Sequence, residues 1–428
     1  MPLSKYTKTY PSPSGPGSVI LYSMKSASAL LVPSGLIEDM KNDNLSDEER
    51  ETLIAEGFLV KNVSEEKREM LSFIQKVNAL DKTLNYILVL NLDCNLGCTY
   101  CFEGQRKGKF YLSDETAGRF VDFVKRSSVG KEEINITFYG GEPLLSMDRI
   151  EAISQELRLF AEQQKLIYGF SLVTNGTLLT IGNVKRLMPL GLKGAKVTLD
   201  GPKEVHDAFR PFKSGAGSFD VIMGNIRDVC PMIHIQIGGN YTQEHYREFP
   251  RLLEVLSGNG LTPDKLSLVK FDPVVNESSE FAPRDFHDGC ASINEPWISE
   301  ASLFLREEIV KRGYRTPKVM PSPCAIEREG NLVVNYDGAL YKCPGLIGRT
   351  DCCVGDLKSG LIDYKSSHDL DVWKNEECLA CEYLPLCFGG CKYMKLLRDG
   401  TLRGINCQKQ YLDQTLAGLV AQDITYDL

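Results

Sequence analysis

From residue 83 onward, short apolar runs alternate with amphipathic stretches. Strand-like runs fall at 86–92, 134–139, 170–174, 195–199, 234–239 and 266–271. Helical periodicity fills the gaps at 114–126, 147–163, 181–188, 219–229 and 244–256. Nearly continuous apolar strands separated by amphipathic helices predict an α/β fold, a parallel sheet with helices packed outside it. In such folds the chemistry sits at the C-terminal ends of the strands.

The flanks read differently. Residues 1–17 are polar and rich in Pro, Ser and Gly. Strand-like runs follow at 18–23 and 27–32, helical stretches at 36–41 and 47–56, and a third apolar run at 57–61. This β-β-α-α-β order has a winged-helix flavour. Residues 65–80 predict one connecting helix. Residues 293–312 predict a further amphipathic helix, and 315–323 read as a Pro-rich linker. The expected division is 1–82 for an N-terminal leader-recognition-like or capping domain, 83–290 for the barrel, 291–323 for a bridging helix and linker, and 324–428 for a cysteine-rich domain.

The 428 residues suffice for two or three domains, and 43% hydrophobic with 25% charged content is ordinary for a globular protein. A net charge of −8 argues against a general nucleic-acid binder and is compatible with a basic peptide partner. No apolar run approaches a membrane span, and residues 1–17 lack a signal-peptide core. The expected location is the cytoplasm, where thiols stay reduced. There the fourteen cysteines read as metal ligands rather than disulfides.

Three of them, Cys94, Cys98 and Cys101, directly follow the first strand-like run. Their C-x3-C-x2-C spacing lets three thiolates hold one iron–sulfur cube and leaves its fourth iron open to a small molecule. A zinc knuckle or three buried free thiols is the plainer alternative. The stretch Cys94-Asn-Leu-Gly-Cys98-Thr-Tyr-Cys101-Phe-Glu resembles the signature of the radical S-adenosylmethionine (SAM) enzymes. In that family the open iron chelates the amino and carboxylate groups of SAM. One electron splits SAM to a 5′-deoxyadenosyl radical, which abstracts hydrogen from substrate. The six strand–helix units match that family's partial (β/α)6 TIM-like barrel.

The strand ends extend the resemblance. Gly140-Gly141-Glu142 follows the second strand, and the family's equivalent contacts the SAM amino group. Thr174-Asn175-Gly176 follows the third and Thr198-Leu199-Asp200-Gly201 the fourth, similar to the family's ribose- and methionine-binding loops. Arg210 matches an arginine that pairs with the SAM carboxylate in related maturases, and Phe102 is expected to pack on adenine. Each motif alone is a common turn. Together they follow successive strands, behind the cysteine triplet. The five histidines show no metal-pair spacing and read as structural or surface groups.

A second cysteine group, Cys378-x2-Cys381-x5-Cys387-x3-Cys391 and then Cys407, resembles the SPASM extension of peptide-modifying radical SAM enzymes. That resemblance implies two auxiliary 4Fe–4S clusters. Cys378, Cys381, Cys387 and Cys407 would hold the outer one. Cys324, Cys343 and Cys391 would hold the inner one, with Cys290 as the expected fourth ligand and Cys352 or Cys353 as weaker choices. Phe388-Gly389-Gly390 provides a tight turn between ligands. A pair of structural zinc sites is the plainer alternative. Cys230 reads as a core thiol.

The passages 89–94, 211–219, 292–297 and 383–394 are similar to the geopeptide-type radical SAM/SPASM maturases. The resemblance implies a maturase of a ribosomally made, Cys-containing precursor peptide with a leader. The expected product is an intramolecular thioether, with carbon–carbon or carbon–oxygen crosslinking as an alternative. Its cofactors would be SAM and three 4Fe–4S clusters, with ferredoxin or flavodoxin as electron donor and neither nucleic acid nor membrane as partner. Sulfatase maturation is the nearest rival. Those enzymes place a catalytic aspartate directly after the cysteine matching Cys343, where this chain has Pro344. Small-molecule dehydrogenation and a non-catalytic iron–sulfur protein are the remaining alternatives.

Overall fold

The computed structural model describes residues 1–13, 15–276 and 286–428. A three-stranded antiparallel sheet opens the chain: β1 (Thr7–Pro11), β2 (Ser18–Ser23) and β3 (Ser28–Pro33), with β2 central. Four helices follow: α1 (Ser34–Asn42), α2 (Asp47–Ala55), α3 (Val63–Leu71) and α4 (Phe73–Leu80). The third strand of this sheet therefore comes from residues 7–11 and not from the expected run at 57–61. In that run Leu59 makes a single bridge to Leu3, and Phe58 and Leu59 are buried in the small core under the sheet. The expected helix over 65–80 is two helices, parted at Ser72.

The main sheet has the order β11-β10-β4-β5-β6-β7-β8-β9. Strands β4 (Thr83–Val89), β5 (Glu133–Tyr139), β6 (Ile167–Thr174), β7 (Leu192–Thr198), β8 (His234–Tyr241) and β9 (Leu266–Pro273) are parallel in sequence order. Between them run α5 (Asp114–Ser127), α6 (Met147–Gln164), α7 (Ile181–Leu187), α8 (Lys203–Phe209), α9 (Phe219–Val229) and α10 (Phe249–Gly258). The six predicted units are present, and α8 is an addition. Local chemistry supports the helices. Ser113 caps α5 by accepting from Thr116 N, with Asp114 and Glu115 in the first turn and Lys125 and Arg126 in the last, as the helix dipole favours. Phe120, Val121, Phe123 and Val124 on α5 face the sheet, each contributing roughly 1.5–3 kcal/mol by burial.

After β9 come α11 (Pro296–Val310), β10 (Asn331–Val334) and β11 (Leu340–Tyr341). Strand β10 returns to pair parallel with β4, and β11 pairs antiparallel with β10. The C-terminal region continues with β12 (Gly355–Asp356), β13 (Gly360–Leu361), α12 (Glu376–Ala380), α13 (Leu384–Cys387), α14 (Lys392–Asp399) and α15 (Lys409–Thr425). Tyr6, just before β1, and Ile20 and Tyr22 of β2 share a core with Trp373, Phe388 and Leu416. The two ends of the chain thus pack together. Among the described residues no helix is long and apolar enough to cross a membrane.

Candidate active site

The loop that carries Cys94, Cys98 and Cys101 leaves the C-terminal end of β4 under tight control. Leu90 N donates to Tyr139 O at 2.9 Å and Leu92 N to Phe110 O at 3.0 Å. The segment after β5 grips the same stretch. Gly141 N donates to Asn91 O at 3.0 Å, Glu142 N to Asp93 O at 2.8 Å, and Asn91 Nδ2 to Glu142 O at 3.1 Å. A Cβ on Gly140 would stand 2.4 Å from Asn91 O, and one on Gly141 would stand 2.2 Å from Asp93 O. The two glycines let the backbones meet.

The three thiols gather around one cation. Burial works to lower the Lys107 ammonium, yet Cys101, Cys98 and Cys94 together hold it above its ordinary value. Burial pushes the Cys94 thiol up to about 11 and raises Cys101 as well. The Cys94 sulfur accepts from Leu96 N at 3.4 Å and lies 3.6 Å from Asn175 Nδ2. Such donors suit a thiolate ligand, whose proton leaves when metal binds. Among the described residues no three His, Cys, Asp or Glu groups stand at the spacing of one metal ion. A cube is held by donors on separate irons, further apart than the ligands of one ion. Three soft thiol donors around a shared cation fit that cube.

Glu142 is fully buried and held within the protein. Thr174 Oγ1 donates to it at 2.8 Å, Asn175 N at 2.8 Å and Leu144 N at 3.0 Å. Burial raises its carboxyl, and these donors oppose that. The side chain joins the ends of β5 and β6, while Gly140 and Gly141 border the cysteine loop. Asn175 continues the net by donating to Asn95 Oδ1 at 2.8 Å and accepting from Thr177 N at 2.9 Å.

Asp200 forms a second centre at the end of β7, where Thr198 pairs with Gly238. Its carboxylate accepts from the Tyr100 hydroxyl and from Asn240 N at 2.7 Å. Arg210 Nη1 donates to the Tyr100 oxygen at 2.8 Å and lies 3.6 Å from Asp200. Burial lowers the Arg210 guanidinium, but Cys98, Tyr100 and Asp200 more than compensate. Its Nε is buried without a partner, so one donor remains for an anionic ligand such as a carboxylate. Behind it, His206 Nδ1 accepts from Asp200 N at 3.2 Å, so Nε2 carries the proton toward Ser218 Oγ at 3.0 Å. Burial, and secondly Arg210, lowers His206 to about 3, so the ring is neutral and structural.

Tyr100, Lys107 and Asn240 were not singled out by the sequence. Asn240 lies near the end of β8, and the strand-end rule that found the other loops reaches it. Phe102 packs with its ring 6.4 Å from that of Tyr139.

The C-terminal cysteines form two sets. Cys378, Cys381 and Cys387 each feel the charge of Cys407, and Cys378 also feels Cys381. The inner set is Cys324, Cys343 and Cys391. Burial pushes Cys343 up to about 12, with Cys391 and Cys324 adding to the rise. Phe388, Gly389 and Gly390 are consecutively left-handed, so the chain reverses between Cys387 of one set and Cys391 of the other. A Cβ on Gly390 would stand 2.0 Å from Asn406 O, the residue before Cys407. Cys290 is held after β9, bonded through its backbone to Val274 and Asn276. Burial, then Glu295, pushes its thiol up to about 12. Cys353 Sγ contacts Gly355 O at 3.1 Å, and Cys352 is buried near Asp351 and Arg349. Cys230 contacts Arg227 O at 3.4 Å, away from both sets.

The Radical SAM superfamily model matches residues 89–251. A serine-type anaerobic sulfatase-maturating enzyme of Bacteroides thetaiotaomicron is 31% identical over 334 residues, 70% of this chain and 80% of that protein. The chain belongs to the radical SAM superfamily. As a radical SAM enzyme it uses SAM and a 4Fe–4S cluster, and its relatives include sulfatase maturases. Two solved structures share its fold. One is anSMEcpe with bound AdoMet and the Kp18Cys peptide, with TM-score 0.65, 18% identity, and coverage of 81% of this chain and 100% of that one. The other is Streptococcus suis SuiB bound to precursor peptide SuiA, with TM-score 0.56, 14% identity, and coverage of 95% and 98%.

Proposed function

We propose that this radical SAM enzyme modifies a ribosomally made, Cys-containing precursor peptide, and that it joins a cysteine sulfur to a carbon of the same peptide. The observation that carries this reading is the grouping of the C-terminal cysteines, with Cys324 and Cys343 packed near Val89 and Leu92 at the end of β4 and Cys378, Cys381 and Cys387 in the core shared with the N-terminal sheet. Two such sets suit a reaction that must remove electrons from its product. Thioether formation takes one hydrogen from the carbon and one from the thiol.

Cys94, Cys98 and Cys101 would hold the SAM cluster, and the two C-terminal sets would hold auxiliary clusters. Bound there, the clusters and SAM supply hydrogen-atom removal from a substrate carbon and an exit for the surplus electron. The chain's own residues do the positioning. Arg210, with its unpartnered Nε, would hold the SAM carboxylate, and the backbone of Gly140 and Gly141 would receive the SAM amino group. Asp200 fixes Tyr100 and Asn240, and Phe102 would border the adenine. The burial of this mouth excludes water from a reactive radical. The N-terminal sheet, with β1 on its edge, is suited to receive a leader as an added strand.

A second reading follows from the sulfatase-maturating relatives, namely oxidation of one side chain to an aldehyde. Pro344, directly after Cys343, offers no titratable group there and opens a tight turn instead. The two readings part on sulfur, because the aldehyde route from cysteine releases it and the thioether keeps it.

The test uses a Cys-containing candidate precursor peptide with deuterium on its carbons, with reconstituted enzyme, SAM and dithionite. Deuterium in the recovered 5′-deoxyadenosine is the expected result. Turnover with no deuterium transfer would remove the peptide as the hydrogen donor.

A further inference from the structure

Helix α8 ends at Phe209, and Arg210 follows it with φ −130° and ψ 51°, outside the helix. Carbonyls at a helix end have no partner within the helix. Arg210 O finds one further along the chain, accepting from Ser218 Oγ at 2.7 Å. Ser218 stands directly before α9, where a serine ordinarily caps its own helix. Its side chain makes no such bond. Asp207 Oδ1 takes the Phe219 N–H instead, at 2.8 Å. The Ser218 hydroxyl is thereby left for Arg210.

A serine hydroxyl has one proton and two lone pairs. The proton goes to Arg210 O, so toward His206 Nε2, 3.0 Å away, the oxygen can only accept. Nε2 therefore carries the ring proton, and Nδ1 is free to accept from Asp200 N at 3.2 Å. The chain runs from Asp200 N–H to His206, from His206 to Ser218 and from Ser218 to Arg210 O, with every proton assigned. His206 and Ser218 are fully buried.

The two ends of this chain lie on two sides of the candidate SAM pocket. Asp200 follows β7 and holds Tyr100 and Asn240. The residues flanking Arg210 bind the cysteine loop, where Thr99 N donates to Phe209 O at 3.0 Å and Gly97 N to Pro211 O at 2.8 Å. Those bonds fix the neighbours of Arg210, and its own carbonyl is held by Ser218.

We propose that Ser218, through His206, is a positioning residue for Arg210, setting the arginine backbone against Asp200 so that the guanidinium meets the SAM carboxylate. This goes beyond the peptide-maturase reading and rests only on the assignment of Arg210 to that carboxylate.

The test compares SAM with decarboxylated SAM, which gives Arg210 nothing to bind. Both are titrated by equilibrium dialysis into reconstituted wild type, Ser218→Ala, Arg210→Lys and the double variant, with iron content reporting cluster loading. Ser218→Ala should weaken SAM by about threefold to tenfold, the worth of one neutral hydrogen bond. It should weaken decarboxylated SAM by less than about twofold, and add less than about twofold on the Arg210→Lys background, because a residue acting through Arg210 has nothing more to lose there. His206→Leu interrupts the chain one step earlier and should shift the ratio of the two affinities in the same direction, which keeps the test open if Ser218→Ala loads no iron. Equal weakening of both ligands, an additive loss in the double variant, wild-type SAM affinity in Ser218→Ala and His206→Leu, or failure of both to load iron would overturn the proposal. A ratio that shifts in Arg210→Lys but in neither other variant would overturn the positioning role alone. An unshifted ratio in Arg210→Lys would overturn the carboxylate assignment and the proposal with it.

Discussion

Arg210 donates through Nη1 to the Tyr100 oxygen at 2.8 Å, which ties an arginine after α8 to a tyrosine inside the cysteine triplet. The same guanidinium holds its Nε free of protein partners. Loop and strand end are therefore set relative to one another before any ligand arrives. Arg210→Lys keeps the charge but loses the fork. SAM affinity should fall roughly ten- to hundredfold, the worth of one or two charged hydrogen bonds. Equilibrium dialysis with reconstituted protein measures it, and wild-type affinity would remove Arg210 from the SAM site.

His206 sets a pH dependence. Its folded value of about 3 lies below the ordinary 6.5, so on acidification the unfolded chain takes up the proton first. Stability then rises with pH through that window and falls as pH drops below about 6.5. Between pH 7.5 and 5 this residue should cost about 2 kcal/mol. Denaturant midpoints for the wild type and His206→Gln should converge over that interval. Parallel pH profiles would refute the assignment.

Gly390→Ala tests the reversal that separates the two C-terminal cysteine sets. The added Cβ meets Asn406 O, and the residue must hold φ near +77°. Such strain costs on the order of 1–3 kcal/mol. It should displace Cys407, so iron per chain should drop while the SAM-binding cluster, seen by its SAM-dependent EPR change, persists. Unchanged iron content would show that the turn is not needed for either set.

The three inner cysteines give a further test. Cys324→Ala should lower iron content, because it removes one of three thiols that influence each other. Cys290 is tied through its backbone to Val274 and Asn276 and its thiol is raised by burial and Glu295, so Cys290→Ala should keep the full iron complement. Loss of iron in Cys290→Ala equal to that in Cys324→Ala would instead make it the fourth ligand.

Much of this was legible in the chain. The strand ends and their loops could be read because buried parallel strands are continuous apolar runs, and the site residues follow each run. Helix α8 was missed because its seven residues bury only His206 and show no apolar period. Strand β1 was missed because Thr7-Lys-Thr-Tyr-Pro11 is polar and half exposed. The run at 57–61 read as a strand because Phe58, Leu59 and Val60 are apolar. Their burial serves the small N-terminal core rather than a ladder. Which thiols share a set depends on tertiary packing of distant segments. Resemblance to a known cysteine spacing could suggest that grouping, but residue periodicity could not.

The most direct test of the central claim is the mass and thiol count of the peptide after anaerobic incubation with reconstituted enzyme, SAM and dithionite. A product lighter by two hydrogens per modification, with one fewer alkylatable thiol and all sulfur retained, is the predicted result. Loss of sulfur from the peptide, or two hydrogens lost with every thiol still free, would contradict thioether formation.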